Sequence, residues 1–312
     1  MKLFHRSEPD ATWPMGYLGP EGSHTHGAAQ KLAAHWPHWQ GPLIPYPSLN
    51  RLMAATESEE VALGLVPIEN GLEGSVFEVL ETLGLQKRHL QPAFELLCPI
   101  HHCLITADAD PLEWRPITRV VSHPQALAQC RDTLFARLGD GIQLEVAAST
   151  SEAVRGLCQY TLGEVEGAVR SAAIGTRAAA ERYGLFVQEE NISDSPDNQT
   201  RFLVIHSTGA HATAQWLAPM KTACPHKTSF CLATPDKPGA LVDVLLCFKD
   251  AGVNLTKIES RPAKRRFGEY VFYIDAEGDL TQPAFAPLMQ ALQTHTVSLQ
   301  QLGPYGKLGL LE

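Results

Sequence analysis

Short apolar runs that alternate with helix-length amphipathic segments constrain this chain more than any other feature. Gly16-Tyr17-Leu18 is followed by Gly19-Pro20-Glu21-Gly22-Ser23, then by a pattern with Ala28, Ala29, Leu32, Ala33 and Trp36 on one face. A helix over 48–58 carries Leu49, Leu52 and Met53, and the run 61–66 then ends at Pro67. Gly74-Ser75 opens a helix with Val76, Val79, Leu80 and Leu83 inward. A long extended stretch covers 94–106. Strands at 120–121, 142–147 and 167–170 then alternate with helices starting at Pro124, Ser151 and Thr176, and strands at 186–189 and 201–206 follow. Runs this short cannot be helices, and their alternation with helical periods predicts an α/β fold with mostly parallel pairing.

The pattern changes after residue 206. Residues 207–226 start small and polar and read as a linker. Strands then follow at 227–234, 253–260, 270–276 and 297–302, with helices at 238–251 and 282–293. That order is βαββαβ, a ferredoxin-like unit, with Lys264-Arg265-Arg266 as a solvated hairpin tip. Residues 1–15 read as a loose extension.

With 25 basic and 34 acidic side chains the net charge is −9, which argues against nucleic acid and against a polybasic membrane anchor. No apolar run approaches the roughly 18 residues needed to span a bilayer, and 1–15 lack the apolar core of a signal peptide. The seven cysteines are irregularly spaced without a CxxC pair, which predicts reduced thiols and a cytoplasmic setting.

Three loops could carry chemistry. Gly19–Ser23 joins a strand to a helix, and the free N–H groups of that helix start suit a carboxylate or phosphate. It matches neither a P-loop nor a dinucleotide fingerprint. Asn70 and Glu73 lie between a strand ending at Pro67 and a helix beginning near Gly74, at the carboxyl end of a strand, where open α/β sheets bind ligands. Arg201, beside Thr200, is a fixed cation able to clamp a carboxylate. Cys98-Pro-Ile-His101-His102-Cys103 does not read as a metal site, because alternate residues of an extended run point to opposite faces. No metal is expected.

In this order and spacing the motifs resemble prephenate dehydratase with a C-terminal ACT regulatory domain. The resemblance rests on Gly19-Pro20-x-Gly22-Ser23, Val66-Pro67-Ile68-Glu69-Asn70, Ser122-His123-Pro124-Gln125 with Gln129-Cys130, Ser149-Thr150-x-Glu152-Ala153 and Asn198-x-Thr200-Arg201-Phe202. In the C-terminal part it rests on Pro238-Gly239-Ala240-Leu241 and on the stretch from Asn254 to Glu259-Ser260-Arg261-Pro262. It implies a catalytic region over 16–206 made of two lobes like a periplasmic binding protein, the second lobe covering about 100–185, followed by an ACT domain over 227–312.

The implied reaction turns prephenate into phenylpyruvate with loss of carbon dioxide and water, and needs no cofactor. Thr200 would assist the leaving hydroxyl. Arg201 would anchor the side-chain carboxylate, and Asn70, Ser122 and Gln129 would orient the ring. Gly22, Ser23, Ser149, Thr150 and Phe202 would complete the substrate site. Gly239, Ala240, Leu241, Asn254, Glu259, Ser260, Arg261 and Pro262 would take L-phenylalanine as a feedback effector. A homodimer or homotetramer through the ACT domains is implied. His24 stands where the family usually has an aromatic residue, and Gly71 where it usually has Ser. An arogenate dehydratase and a noncatalytic amino-acid sensor stay open. A mutase fused ahead of the first motif is disfavoured, because only about 15 residues precede it.

Overall fold

The computed structural model of the chain describes residues 12–36, 39–86, 89–109, 117–160, 170–263 and 270–311. The Lys264–Arg266 tip, most of the 1–15 extension and the start of the 167–170 strand lie outside them.

The first lobe runs β1 (Met15–Leu18), α1 (His24–His35), β2 (Leu43–Tyr46), α2 (Leu49–Glu57), β3 (Leu63–Asn70), β4 (Gly74–Ser75), α3 (Phe77–Gly84) and β5 (Leu90–Pro99). The second runs β6 (Cys103–Thr106), β7 (Ile117–Ser122), α4 (Pro124–Gln129), α5 (Arg131–Leu138), β8 (Gln143–Val146), α6 (Thr150–Tyr160), β9 (Arg170–Gly175), α7 (Arg177–Tyr183) and β10 (Phe186–Glu189). The chain then returns to the first lobe as β11 (Gln199–Ser207) and α8 (His211–Thr222). The C-terminal unit is β12 (His226–Ala233), α9 (Ala240–Asp250), β13 (Leu255–Pro262), β14 (Tyr270–Glu277), α10 (Ala286–His295) and β15 (Ser298–Leu310).

Serine and threonine caps set several helix starts. Ser23 accepts from His26 N at the head of α1, and Thr176 accepts from Ala179 N at the head of α7. The lobe-one sheet is covered on both faces. Tyr17, Phe94, Phe202 and Val204 pack under α1 and α8, whereas Val66, Ile68, Leu203 and Ile205 pack with residues of α2 and α3. The second lobe has its own sheet, ordered β10-β6-β9-β7-β8, with β7 parallel to both β8 and β9 and the β6 pairings antiparallel. The two crossings between lobes lie side by side, where Ile100 N donates to Asn198 O and Ile192 N to His102 O.

Residues 207–226 are not a plain linker. Residues 211–222 are helical because Trp216, Leu217 and Met220 form an apolar stripe on the lobe-one core, with Trp216 edge-on to Trp36 at 5.5 Å. One such half-buried aromatic outweighs the weak preferences of the Ala and Thr residues around it.

The C-terminal unit has strand order β13-β14-β12-β15 and does not stand apart. β15 runs to Leu310, eight residues past the expected end of that strand, and its last part pairs in parallel with β5, from Gly306 opposite Phe94 to Leu310 opposite Leu97. The pairing fills the open edge of β5. Gly306 allows the approach, since a Cβ there would lie 2.9 Å from the Phe94 ring. One continuous sheet therefore joins the C-terminal unit to the first lobe.

Candidate functional site

Between the lobes lies a cavity of about 290 Å³, near the lower end of the ~300–1,000 Å³ usual for small-molecule sites. Asn70 at the end of β3 and Thr200 near the start of β11 are direct cross-strand partners on its floor. Residues 198, 200 and 202 alternate toward the α1 side of the sheet, and Thr200 and Phe202 both line the cavity. The second lobe contributes Gln129 from the end of α4 and Thr150 from the start of α6.

These side chains form a continuous hydrogen-bond chain of neutral groups. Asn70 Nδ2 donates to Thr200 Oγ1 at 3.0 Å and to Asn198 Oδ1 at 3.1 Å. Asn198 Nδ2 donates to Gln129 Oε1 at 3.0 Å, and that oxygen lies 3.0 Å from His102 Nε2. An amide oxygen only accepts, so His102 carries its proton on Nε2. Asn70 Oδ1 accepts from the backbone N–H of Leu72 and Glu73, which fixes the amide orientation. Thr200 Oγ1 therefore receives a hydrogen bond and keeps its own proton for a ligand. Glu73 lines the cavity too and accepts from Gln129 Nε2 at 3.4 Å.

Two histidines stand on the wall. His24 lies edge-on to His102, with ring centroids 5.0 Å apart. Burial pushes His24 down to about 3, helped by the nearby His102, His101 and Lys31. Burial also lowers His102, although its bond to Gln129 opposes the shift. Both rings are neutral at pH 7. The unfolded chain protonates His24 near 6.5, so between that value and about 3 the unfolded state binds more protons and stability falls as the pH drops. The ring is partly open to the cleft, which weakens the effect to about 1–2 kcal/mol between pH 7 and pH 5. His24→Phe should remove that acid loss, so its stability relative to the parent should rise by this amount from pH 7 to pH 5 in denaturant titrations. A pH-independent difference would assign the acid loss to other groups.

Other expected site residues lie elsewhere. Arg201 points to the opposite face of β11, where its Nη1 sits 2.6 Å from Asp275 Oδ2 and 3.7 Å from Glu95, and its Nε 3.6 Å from Glu69. The two-residue period of a strand forbids Thr200 and Arg201 from sharing a face. Ser122 is fully buried and donates to Ile174 O within the second sheet. Ser23 and Ser149 are occupied as caps, accepting from His26 N and Glu152 N. Gly22 is a lobe-to-lobe contact. Its carbonyl accepts from Thr176 Oγ1 at 2.7 Å, its N–H donates to His26 Nδ1, and a Cβ at its φ of +80° would press on Ala179. His102 joins the site unannounced, and Glu73 and Asn198, present in the loop and motif readings without a site role, join it too. Asn198 was signalled by its two-residue spacing from Thr200, and His102 by the same spacing from Ile100, another wall residue.

The effector set also divides. Gly239, Ala240 and Leu241 line a larger cavity of about 1180 Å³ together with Gly84 at the end of α3, Leu85 just after it and Phe272 of β14. Glu259 instead bonds Ser75 Oγ on β4, and the Arg261 guanidinium lies over the Phe77 ring. These two side chains face the first lobe because they alternate along β13 with Ser260 and Pro262. Asn254 donates to Glu277 beside the sheet end. Among the described residues no helix is long and apolar enough to cross a membrane.

Known proteins resemble this chain in sequence and fold. Residues 15–210 match the prephenate dehydratase family. A bifunctional chorismate mutase/prephenate dehydratase of Neisseria gonorrhoeae is 34% identical over 293 residues, which is 93% of this chain and 74% of that protein. A prephenate dehydratase of Methanocaldococcus jannaschii is 38% identical over 247 residues, 78% of this chain and 80% of that one. The crystal structure of a prephenate dehydratase from Arthrobacter aurescens in complex with L-Phe superposes with a TM-score of 0.76 at 30% identity, covering 94% and 90% of the two chains. With the match running from β1 through β11, the two lobes and the cleft between them are those of a prephenate dehydratase, and the chain belongs to that family.

Proposed function

We propose that the chain converts prephenate to phenylpyruvate in the cleft between its lobes. The observation that carries this reading is the Asn70–Thr200 pair, which leaves the Thr200 proton free beside a wall of neutral donors. In the reaction the bond from the ring carbon to its hydroxyl breaks and the oxygen leaves with the electron pair, taking a proton to become water. The bond to the ring carboxylate breaks, its electrons complete the aromatic ring, and carbon dioxide departs. A threonine hydroxyl is a weak acid, so Thr200 serves as hydrogen-bond donor or relay to the departing oxygen. Asn70, Gln129, Thr150 and Phe202 orient the substrate.

The neutral floor suits this chemistry. A cation at the departing carboxylate would stabilise the ground state and raise the barrier. With Arg201 turned away, the side-chain carboxylate is left to the N-terminal ends of α1 and α6, whose residues His24, Thr25 and Thr150 line the cavity.

We further propose that the C-terminal unit is an ACT domain that takes phenylalanine as a feedback effector. Its βαββαβ order and the cavity at Gly239–Leu241 support this. Val242 and Leu246 are exposed on α9, and they suit pairing with a second copy in a dimer or tetramer. The Glu73 carboxylate in the cleft favours a second reading, arogenate, which carries an ammonium in place of the keto group.

Purified protein should be assayed on prephenate and arogenate, each with and without L-phenylalanine. Turnover of prephenate that phenylalanine suppresses is the expected result. Faster turnover of arogenate would favour the second reading. Phenylalanine binding without turnover of either acid would make the chain a sensor.

A further inference from the structure

The residue that follows Thr200 is tied to the C-terminal unit. Arg201 is nearly closed off from solvent and pairs with Asp275 of β14, a carboxylate that is itself buried. Ser229 Oγ of β12 donates to the other Asp275 oxygen at 2.5 Å and lies 2.7 Å from Tyr305 Oη of β15. Lys227 of β12 holds Glu95 of β5, which lies 3.7 Å from the Arg201 nitrogen that Asp275 also holds. Side chains from three strands of the C-terminal unit thus converge on Arg201, which extends from the back of the Thr200 strand.

The grip falls at an irregularity in the ladder between β11 and β3, while the ladder between β11 and β5 runs unbroken from Gln199 to Val204. Arg201 faces Glu69 on β3, yet Phe202 faces Pro67, so the pairing slips by one residue there. Pro67 has no N–H to give the ladder. On the far side of the slip only Thr200 and Arg201 pair with β3. Burial alone would raise the Asp275 carboxyl, but the Arg201 guanidinium, the Ser229 hydroxyl and Lys227 hold it below the ordinary carboxylate range. The pair is therefore ionised at neutral pH, and charge-assisted bonds of this kind fix geometry strongly.

We infer that Asp275 of the C-terminal unit is a positioning residue for the dehydration step, holding Arg201 so that Thr200 is aimed into the cleft. This rests on the prephenate reading above. Asp275 touches no substrate. It acts through the backbone at 200–201, where a displacement well under the length of a hydrogen bond weakens the contact between Thr200 and the departing oxygen. The C-terminal unit is then part of the machinery of the cleft even when no effector is bound.

The test compares full-length parent, Asp275→Asn, Ser229→Ala and Leu292→Val on prephenate without phenylalanine, at a temperature where circular dichroism shows each one folded. Leu292 lies on the buried side of α10, in a C-terminal core cluster that does not include Arg201, so its variant reports what simple loosening of that unit does. Asp275→Asn should lower kcat at least tenfold with KM changed less than threefold. Ser229→Ala, which keeps both charges, should lower kcat about two- to fivefold and serves alone if Asp275→Asn does not fold. Leu292→Val should keep kcat within twofold. Unchanged kcat in the first two variants would overturn the proposal, and so would an equal fall in all three. A KM rise without a kcat fall would also overturn it. A parent that does not turn over prephenate would overturn the reading beneath it.

Discussion

Thr200→Ala should lower kcat on prephenate by about two to four orders of magnitude, the usual worth of a positioned proton donor, while KM moves little. In the proposed reaction the hydroxyl bonds the oxygen that departs, so that bond would strengthen as charge develops there and contribute mostly in the transition state. The fold should be nearly indifferent. Asn70 Nδ2 loses one acceptor but keeps Asn198 Oδ1 at 3.1 Å and Gln199 O at 3.4 Å, so no buried donor is stranded. Melting temperature should therefore stay close to the parent. Thr200→Ser retains the hydroxyl and should keep kcat within about tenfold of the parent. Loss of activity in step with a loss of melting temperature would mean Thr200 matters only to packing. Equal activity of Thr200→Ala and parent would remove the hydroxyl from the mechanism.

Much of this architecture is local and so was legible in the chain. Caps at Ser23 and Thr176 and runs such as 61–66 declare helix starts and strands through nearest neighbours alone. What escaped depends on contacts far along the sequence. Residues 303–310 read Gly-Pro-Tyr-Gly-Lys-Leu-Gly-Leu and carry no strand signal, yet they form a strand because β5 leaves an edge to be filled. The Trp216 stripe of α8 fell within the stretch read as a linker, and its purpose depends on Trp36, which lies 180 positions earlier.

The candidate site divides in the same way. Asn198, Thr200 and Phe202 share a face by the period of a strand, and the same period already turns Arg201 away. What no local rule supplies is the reason a cation there is tolerated, since Asp275 lies 74 residues downstream. Motif resemblance groups residues by position in the chain. It does not separate those that face the cleft, such as Thr200, from those that hold the scaffold, such as Ser122 and Gly22.

Arg201→Met should destabilise the protein by about 3–5 kcal/mol, because it strands ionised Asp275 in the interior with Glu95 left to share Lys227. Burial opposes the Arg201 charge, yet Asp275, Tyr305 and Glu95 hold its pKa above the ordinary arginine value, so the variant removes a charge that was fully present. The double change Arg201→Met with Asp275→Leu takes out both ions and should recover most of the stability, since buried pairs are often no better than well-packed apolar groups. The two sites touch, so their energies should fail to add, and denaturant titration of the four proteins measures that coupling. Activity should not recover with stability. A methionine and a leucine can fill the space but cannot fix the backbone at Thr200 by a directed bond, so kcat in the double variant stays low while KM remains near the parent value. An arginine that gripped the substrate carboxylate would give the opposite pattern. KM would rise steeply, stability would hardly change in the single variant, and Asp275→Leu would restore nothing. The turn of one side chain to the back of its strand thus converts an expected binding group into a structural one, and the split between KM and stability reads which it is.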